Sequence, residues 1–259
     1  MGSVTIAGHR LELEWRGDAS AAGGGPTLVF LHEGLGCVAK WKGFPEAVAR
    51  RTGCRALVFS RAGYGGSDPV TLPRPLTYMH HEGLVVLPEL LATVGIERAV
   101  LIGHSDGASI ALIHAGSVAG APAACGLVLL APHVFCEDVS VESIRRAREA
   151  YETGTLRASL ARYHGANVDG AFRGWNDAWL DPAFRQWNIE AFLPRVRVPI
   201  LAMQGDADAY GTLAQLDAIA RQCGGPYEQR VIAGAGHDLP RDAPEVTLEQ
   251  LARFVKALP

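Results

Sequence analysis

The chain has 259 residues, 48% of them hydrophobic and 20% charged, and a net charge of −3. That is ordinary for a folded domain with a sizeable core, and it lacks the clustered Lys/Arg footprint of a nucleic-acid binder. No apolar run reaches the roughly eighteen residues of a membrane span. The opening Met1-Gly2-Ser3-Val4-Thr5-Ile6 has neither the basic flank nor the apolar core of a signal peptide, and Ile6 breaks the myristoylation pattern. Five scattered cysteines, Cys37, Cys54, Cys125, Cys136 and Cys223, form no CxxC pair. They suggest neither a disulfide framework nor a zinc site, and a reducing, cytoplasmic setting is expected.

In chain order, the alternation Arg10-Leu11-Glu12-Leu13-Glu14-Trp15 predicts a strand with one solvated face. Breakers from Ala19 to Pro26 follow, then the wholly apolar run Thr27–Leu31. Similar runs recur at Ala56–Phe59, Ala99–Ile102, Gly126–Leu130 and Pro199–Met203, and Glu228–Ile232 reads as a more exposed strand. Apolar runs without alternation predict parallel strands covered on both faces. Helices are predicted at Phe44–Arg51, Tyr78–Val94, Ala108–Val118, Thr212–Gln222 and Pro244–Leu258. The alternation of strand and helix predicts an α/β, doubly wound, mostly parallel sheet.

Between His133 and Val198 the rhythm stops. Helical patterns are predicted at Val141–Tyr151, Thr155–Tyr163 and Ala183–Phe192, and Trp175, Trp179 and Trp187 cluster there. We read one domain, with a core of residues 1–132 and 196–259 and a small helical cap insertion at 133–195 over the end of the sheet. Trp175 and Trp179, four apart, suit one helical face roofing an apolar pocket. Ordinary packing of the insertion onto the main domain is the simpler account of them.

The strand Ala99–Ile102 runs into Gly103-His104-Ser105-Asp106-Gly107, a G-x-S-x-G motif between strand and helix. Such a turn strains the central residue, and the flanking glycines remove side chains that would clash. Ser105 is then presented above a helix N-terminus, where N–H groups can stabilise an oxyanion. A serine nucleophile needs a base and an orienting acid. His104 should diverge from Ser105. His237, in Ala233-Gly234-Ala235-Gly236-His237-Asp238, lies on a loop free to swing over the sheet edge. Of the two carboxylates in Gly205-Asp206-Ala207-Asp208, Asp208 is preferred as the acid, because the loop must travel before it turns toward His237. Asp206 reads as a turn-former. The adjacent pair His80-His81 with Glu82 invites a metal, but neighbours on a helix point about 100° apart, and no metal is expected. Leu72-Pro73-Arg74-Pro75 reads as a rigid loop.

Five landmarks in order, His32-Glu33-Gly34-Leu35-Gly36, Ser60-Arg61-Ala62-Gly63-Tyr64-Gly65-Gly66-Ser67, the Ser105 turn, Gly205-x-x-Asp208 and Gly236-His237, make the chain resemble the α/β-hydrolase superfamily along nearly its whole length. The resemblance implies the α/β-hydrolase fold, a Ser105–His237–Asp208 triad, and oxyanion-hole N–H groups from Gly34 and Asp106. Leu35, Trp175 and Trp179 are expected to line the substrate pocket. The resemblance also implies no cofactor and a small ester-like substrate. Three positions depart from the family pattern: Glu33 where relatives usually have Gly, an acid at Asp106, and Ser60 for the usual Asp. A carboxylate beside a developing oxyanion opposes catalysis unless it points away or is neutralised. The reaction expected is ester hydrolysis through an acyl-enzyme. A lactonase, carbon–carbon bond hydrolase, acyltransferase or perhydrolase would use the same triad. A ligand sensor with little turnover is the rival of another class. Ser105 argues against dehalogenases and epoxide hydrolases, which carry Asp at that position.

Overall fold

The computed structural model describes residues 2–17, 25–117 and 123–259. The breakers from Ala19 to Gly24 and the end of the helix predicted to reach Val118 lie outside the described residues. Eight strands form one sheet: β1 (Gly2–Ile6), β2 (His9–Arg16), β3 (Thr27–Leu31), β4 (Ala56–Phe59), β5 (Ala99–His104), β6 (Ala124–Leu130), β7 (Ile200–Gly205) and β8 (Tyr227–Ile232). Their order is β1-β2-β4-β3-β5-β6-β7-β8. The first three neighbours pair antiparallel (β1 with β2, β2 with β4), and all other pairs are parallel.

The wholly apolar strands behave as period two requires on a sheet with two covered faces. Leu28, Phe30, Ala56, Val58, Val100 and Ile102 enter one core cluster. Their alternates Val29, Leu31, Leu57, Phe59 and Leu101 enter the other. On the first face α1 (Phe44–Thr52) packs against the last helix, Pro244–Ala257. The opposite face carries α2 (Tyr78–His81), a π-helical turn over Glu82–Val86, α3 (Leu87–Thr93) and α4 (Asp106–Ala115).

The helices between β6 and β7 are α5 (Asp138–Glu152), α6 (Leu156–His164) and α7 (Val168–Leu180). The last of these is absent from the helices predicted above, although it carries Trp175 and Trp179. The single helix predicted at Ala183–Phe192 is instead two 3-10 segments, Pro182–Gln186 and Glu190–Arg195. The interruption falls at Trp187–Ile189, where the Asn188 side chain accepts from the Glu190 N–H at 2.7 Å and the Ile189 N–H donates to the Val134 carbonyl at 2.8 Å instead of continuing a helix. After β7 come α8 (Ala214–Gln222), the short α9 (Leu239–Asp242) and α10 (Pro244–Ala257).

The chain leaves β3 toward β4 on one side and returns to β5 on the other. The carboxyl ends of β3 and β5 therefore flank the point where strand order reverses, the usual place for a ligand crevice in an open α/β sheet. Ser105 follows β5, and the His32–Gly36 loop follows β3.

Candidate active site

Ser105 has φ 52° and ψ −118° between β5 and α4, a conformation that costs on the order of 1–3 kcal/mol for a non-glycine residue. Close backbone contact holds it there. A Cβ on Gly107 would lie 2.0 Å from the carbonyl oxygen of Leu31, and one on Gly103 would lie 2.4 Å from that of Gly107. Both glycines are needed so that the turn can seat against the end of β3.

The loop after β3 is pinned from beneath. The Arg61 N–H donates to His32 Nε2 at 3.1 Å, so the ring proton sits on Nδ1, which donates to the Glu33 carbonyl at 2.7 Å. The buried Arg61 guanidinium donates to the carbonyls of His32 (2.5 Å) and Glu33 (3.1 Å). Gly34 then passes directly beneath Trp175, and a Cβ at position 34 would sit 2.2 Å from the indole.

Both awkward carboxylates are dealt with. Burial opposes ionisation of Glu33, but the Lys40 ammonium, bonded at 2.9 Å, outweighs it and holds the carboxyl well below the usual carboxylate range. Asp106 is fully buried, accepts from the Tyr78 hydroxyl at 2.5 Å and lies 4.0 Å from Arg61. It does not line the cavity that Ser105 lines. Tyr78 in turn accepts from the Trp179 indole N–H at 3.1 Å.

Asp208 and His237 meet. Both carboxylate oxygens lie 2.9 Å from His237 Nδ1, and Asp208 also accepts from the Tyr210 N–H at 2.8 Å. Burial opposes ionisation of Asp208, but the bond and charge of His237, with the Tyr210 N–H, hold its pKa below the ordinary value. Asp206 instead accepts from the N–H of Gly234 at 2.7 Å. It ties the loop after β7 to the loop that carries His237.

Ser105, His237, Gly34, Leu35, Trp175 and Trp179 line one cavity of about 350 Å³. No hydrogen bond joins the Ser105 hydroxyl to His237 among the described residues. His104, expected to diverge from Ser105, lines the same cavity. Its Nε2 is 2.9 Å from the His237 carbonyl, and its ring is 5.2 Å from the His237 ring. Burial, then the His237 charge, lowers its pKa.

Two lining residues escaped the sequence reading. His133 follows β6, packs edge-on to Trp179 at 5.2 Å and lies 5.7 Å from the His237 ring. Burial, reinforced by the nearby His237, pushes its pKa down to about 3, so it is a neutral imidazole at ordinary pH. The Tyr210 ring lies 4.8 Å from the His237 ring. The only signal for either was position: each sits just past a strand's carboxyl end, as Ser105 and Asp208 do. The His80–His81 pair stays apart from this site. His80 packs 5.7 Å from the Phe192 ring, and no group of three His, Cys, Asp or Glu that could hold a metal occurs among the described residues. No helix among them is long and apolar enough to cross a membrane.

Solved structures similar to this chain include MGS-M2, an alpha/beta hydrolase enzyme from a Medee basin deep-sea metagenome library. It is 16% identical with TM-score 0.78, and the match covers 100% of this chain and 98% of that one. The enol-lactonase from Burkholderia xenovorans LB400 is 19% identical with TM-score 0.73, covering 98% and 99%. The esterase EaEST from Exiguobacterium antarcticum is 20% identical with TM-score 0.74, covering 99% and 100%. At such identities the likeness shows the fold. No curated protein matches the chain. The model of the alpha/beta hydrolase family matches residues 28–250, a span that runs from Leu28 of β3 through β8, and with this fold and this site behind it the chain belongs to the alpha/beta hydrolase family.

Proposed function

We propose that the chain is a serine hydrolase that cleaves small carboxylic esters through an acyl-enzyme. The observation that carries this reading is the Asp208–His237 pair, two contacts of 2.9 Å, held in the cavity where the strained Ser105 is presented. Asp208 accepts the Nδ1 proton, which leaves Nε2 as the basic nitrogen. His237 takes the Ser105 proton as the oxygen attacks the ester carbonyl. The N–H groups of Gly34 and Asp106 stabilise the resulting oxyanion. His237 then protonates the leaving alcohol, and water, deprotonated by the same ring, releases the acid. The bond from Ser105 to His237 forms in the substrate complex, where catalytic hydrogen bonds characteristically tighten.

Neutralised Glu33 and averted Asp106 remove the electrostatic objection to an oxyanion here. The cavity, about 350 Å³, is at the small end for ligand pockets and suits a short acyl group against Leu35, Trp175 and Trp179. Esterase and enol-lactonase neighbours are consistent with ester-bond chemistry. A fluorophosphonate probe should label the protein and fail to label Ser105→Ala, whose turnover of short p-nitrophenyl esters should fall by about 10⁴-fold or more. Full activity in Ser105→Ala would overturn the assignment. Wild-type protein giving one stoichiometric burst and no turnover would favour a sensor.

A further inference from the structure

A second cavity, of about 380 Å³, opens between β1, β2, the loop 62–77 and α2. It shares no lining residue with the cavity around Ser105. Its apolar walls come from Ile6, Leu11, Val70 and Val86, and Tyr78 and Glu82 also line it. Thr71, Thr77 and His81 stand exposed at the rim.

Glu82 is the unusual member. It is 7% exposed, and its carboxyl takes no hydrogen bond or ion pair among the described residues. Its oxygens reach the cavity rather than being sealed in the packing. A carboxyl taken out of water with no partner costs on the order of several kcal/mol. Its position is set by the π-helical turn Glu82–Val86, a rare form that is frequent at functional sites. The turn is wedged onto α4: a Cβ on Gly83 would lie 2.9 Å from the Ile110 carbonyl oxygen, and His114 Nδ1 lies 3.0 Å from the Gly83 carbonyl.

Arg74, the other buried charge on this wall, is already engaged. It donates to the Ala62 carbonyl at 2.5 Å, lies over the Tyr64 ring at 4.8 Å, and presses on Gly174 of α7. Burial raises the Glu82 pKa, and the positive charges of Arg61 and Arg74 oppose that without cancelling it; Arg61 is itself matched by Asp106 at 4.0 Å. An ammonium head would call for the ionised carboxylate that burial here opposes. A carboxylate head would face Glu82 directly. What the cavity lacks is a neutral donor to Glu82 and an apolar body to fill the space beside it.

We propose that this cavity is a second binding site, taking a small aliphatic alcohol whose hydroxyl donates to Glu82 and whose chain lies against Ile6, Leu11, Val70 and Val86. The proposal does not depend on ester turnover, so its failure would leave the hydrolase reading intact.

Titration calorimetry with 1-hexanol on the whole chain tests it. Saturable binding at about 10 mM or tighter is expected for a ligand of this size. Glu82→Leu should weaken it about tenfold, as loss of a buried hydrogen bond does. Thr71→Trp, a change at the exposed rim, should block the mouth and weaken it similarly if Glu82→Leu fails to fold. Soaked 6-bromohexanol should place its bromine between Leu11 and Val86 in the anomalous map. Unchanged affinity in both variants, no saturable binding up to about 20 mM, or tighter binding of hexylamine or hexanoate than of hexanol would overturn the proposal.

Discussion

The sheet and the helices between β6 and β7 are stabilised by different means. β3, β4 and β5 are buried at nearly every residue, with Leu28, Val29, Phe30, Val100, Leu101 and Ile102 wholly inaccessible. α5 to α7 are amphipathic, burying one face through Tyr151, Phe172 and Trp179 while the other carries exposed ion pairs such as Arg157–Asp169 and Arg148–Asp177. Close backbone packing leaves the sheet no latitude, and it is there that the strained turn at Ser105 and the loops bearing Asp208 and His237 are anchored. The helices meet the site through a few large side chains. The first region holds atoms at bonding distance, and the second shapes the space around them.

That contrast can be broken experimentally. Asp208→Asn, on a loop of the sheet, should lower kcat for a p-nitrophenyl ester by about 10⁴-fold with circular dichroism unchanged. A loss below tenfold would mean that the sheet does not hold the chemistry. Gly34→Ala tests where the two regions touch. Its methyl group collides with Trp175, so the loop or α7 must shift, and kcat should fall by about 10²-fold, the size of a misplaced oxyanion donor, with KM little changed. A KM effect alone would assign the contact to binding.

A smaller effect sharpens the picture of the cavity floor. Burial, aided by His237, pushes the His133 pKa down to about 3, while the unfolded chain takes up that proton near the ordinary histidine value of about 6.5. Below that pH the unfolded state binds more protons, so stability falls as pH drops from about 6.5 to about 3. His133→Gln should therefore reduce the slope of unfolding free energy against pH by about 1.4 kcal/mol per pH unit in that window, read from urea melts. An unchanged slope would mean that this imidazole is not sealed from water. Smallest is Arg185→Ala, which removes the exposed pair with Asp138 and should cost less than about 1 kcal/mol.

What the sequence made legible follows from the same contrast. Thr27–Leu31 and Ala56–Phe59 are strands as predicted, because an uninterrupted apolar run between breakers has few other fates. β1 was not legible: Gly2-Ser3-Val4-Thr5-Ile6 has mixed polarity and becomes a strand only through its pairing with β2. α7 was hidden by Gly170, Gly174, Asn176 and Asp177, poor helix formers overridden by the burial of Phe172, Trp175 and Trp179. Ser105, Asp208 and His237 could be picked out because glycine-rich turns flank them. His133 and Tyr210 had no such signature, and the pairing of Lys40 with Glu33 depends on a loop conformation that no local pattern encodes.

Trp175 resting on Gly34 has one more consequence. The indole and the loop after β3 lean on each other without a bond between them, so the roof of the cavity rests on the same turn that, in the proposed reaction, would offer the Gly34 N–H. The closeness of that fit also sets a ceiling: any residue larger than glycine at position 34 would have to be accommodated by the wall and by the roof together.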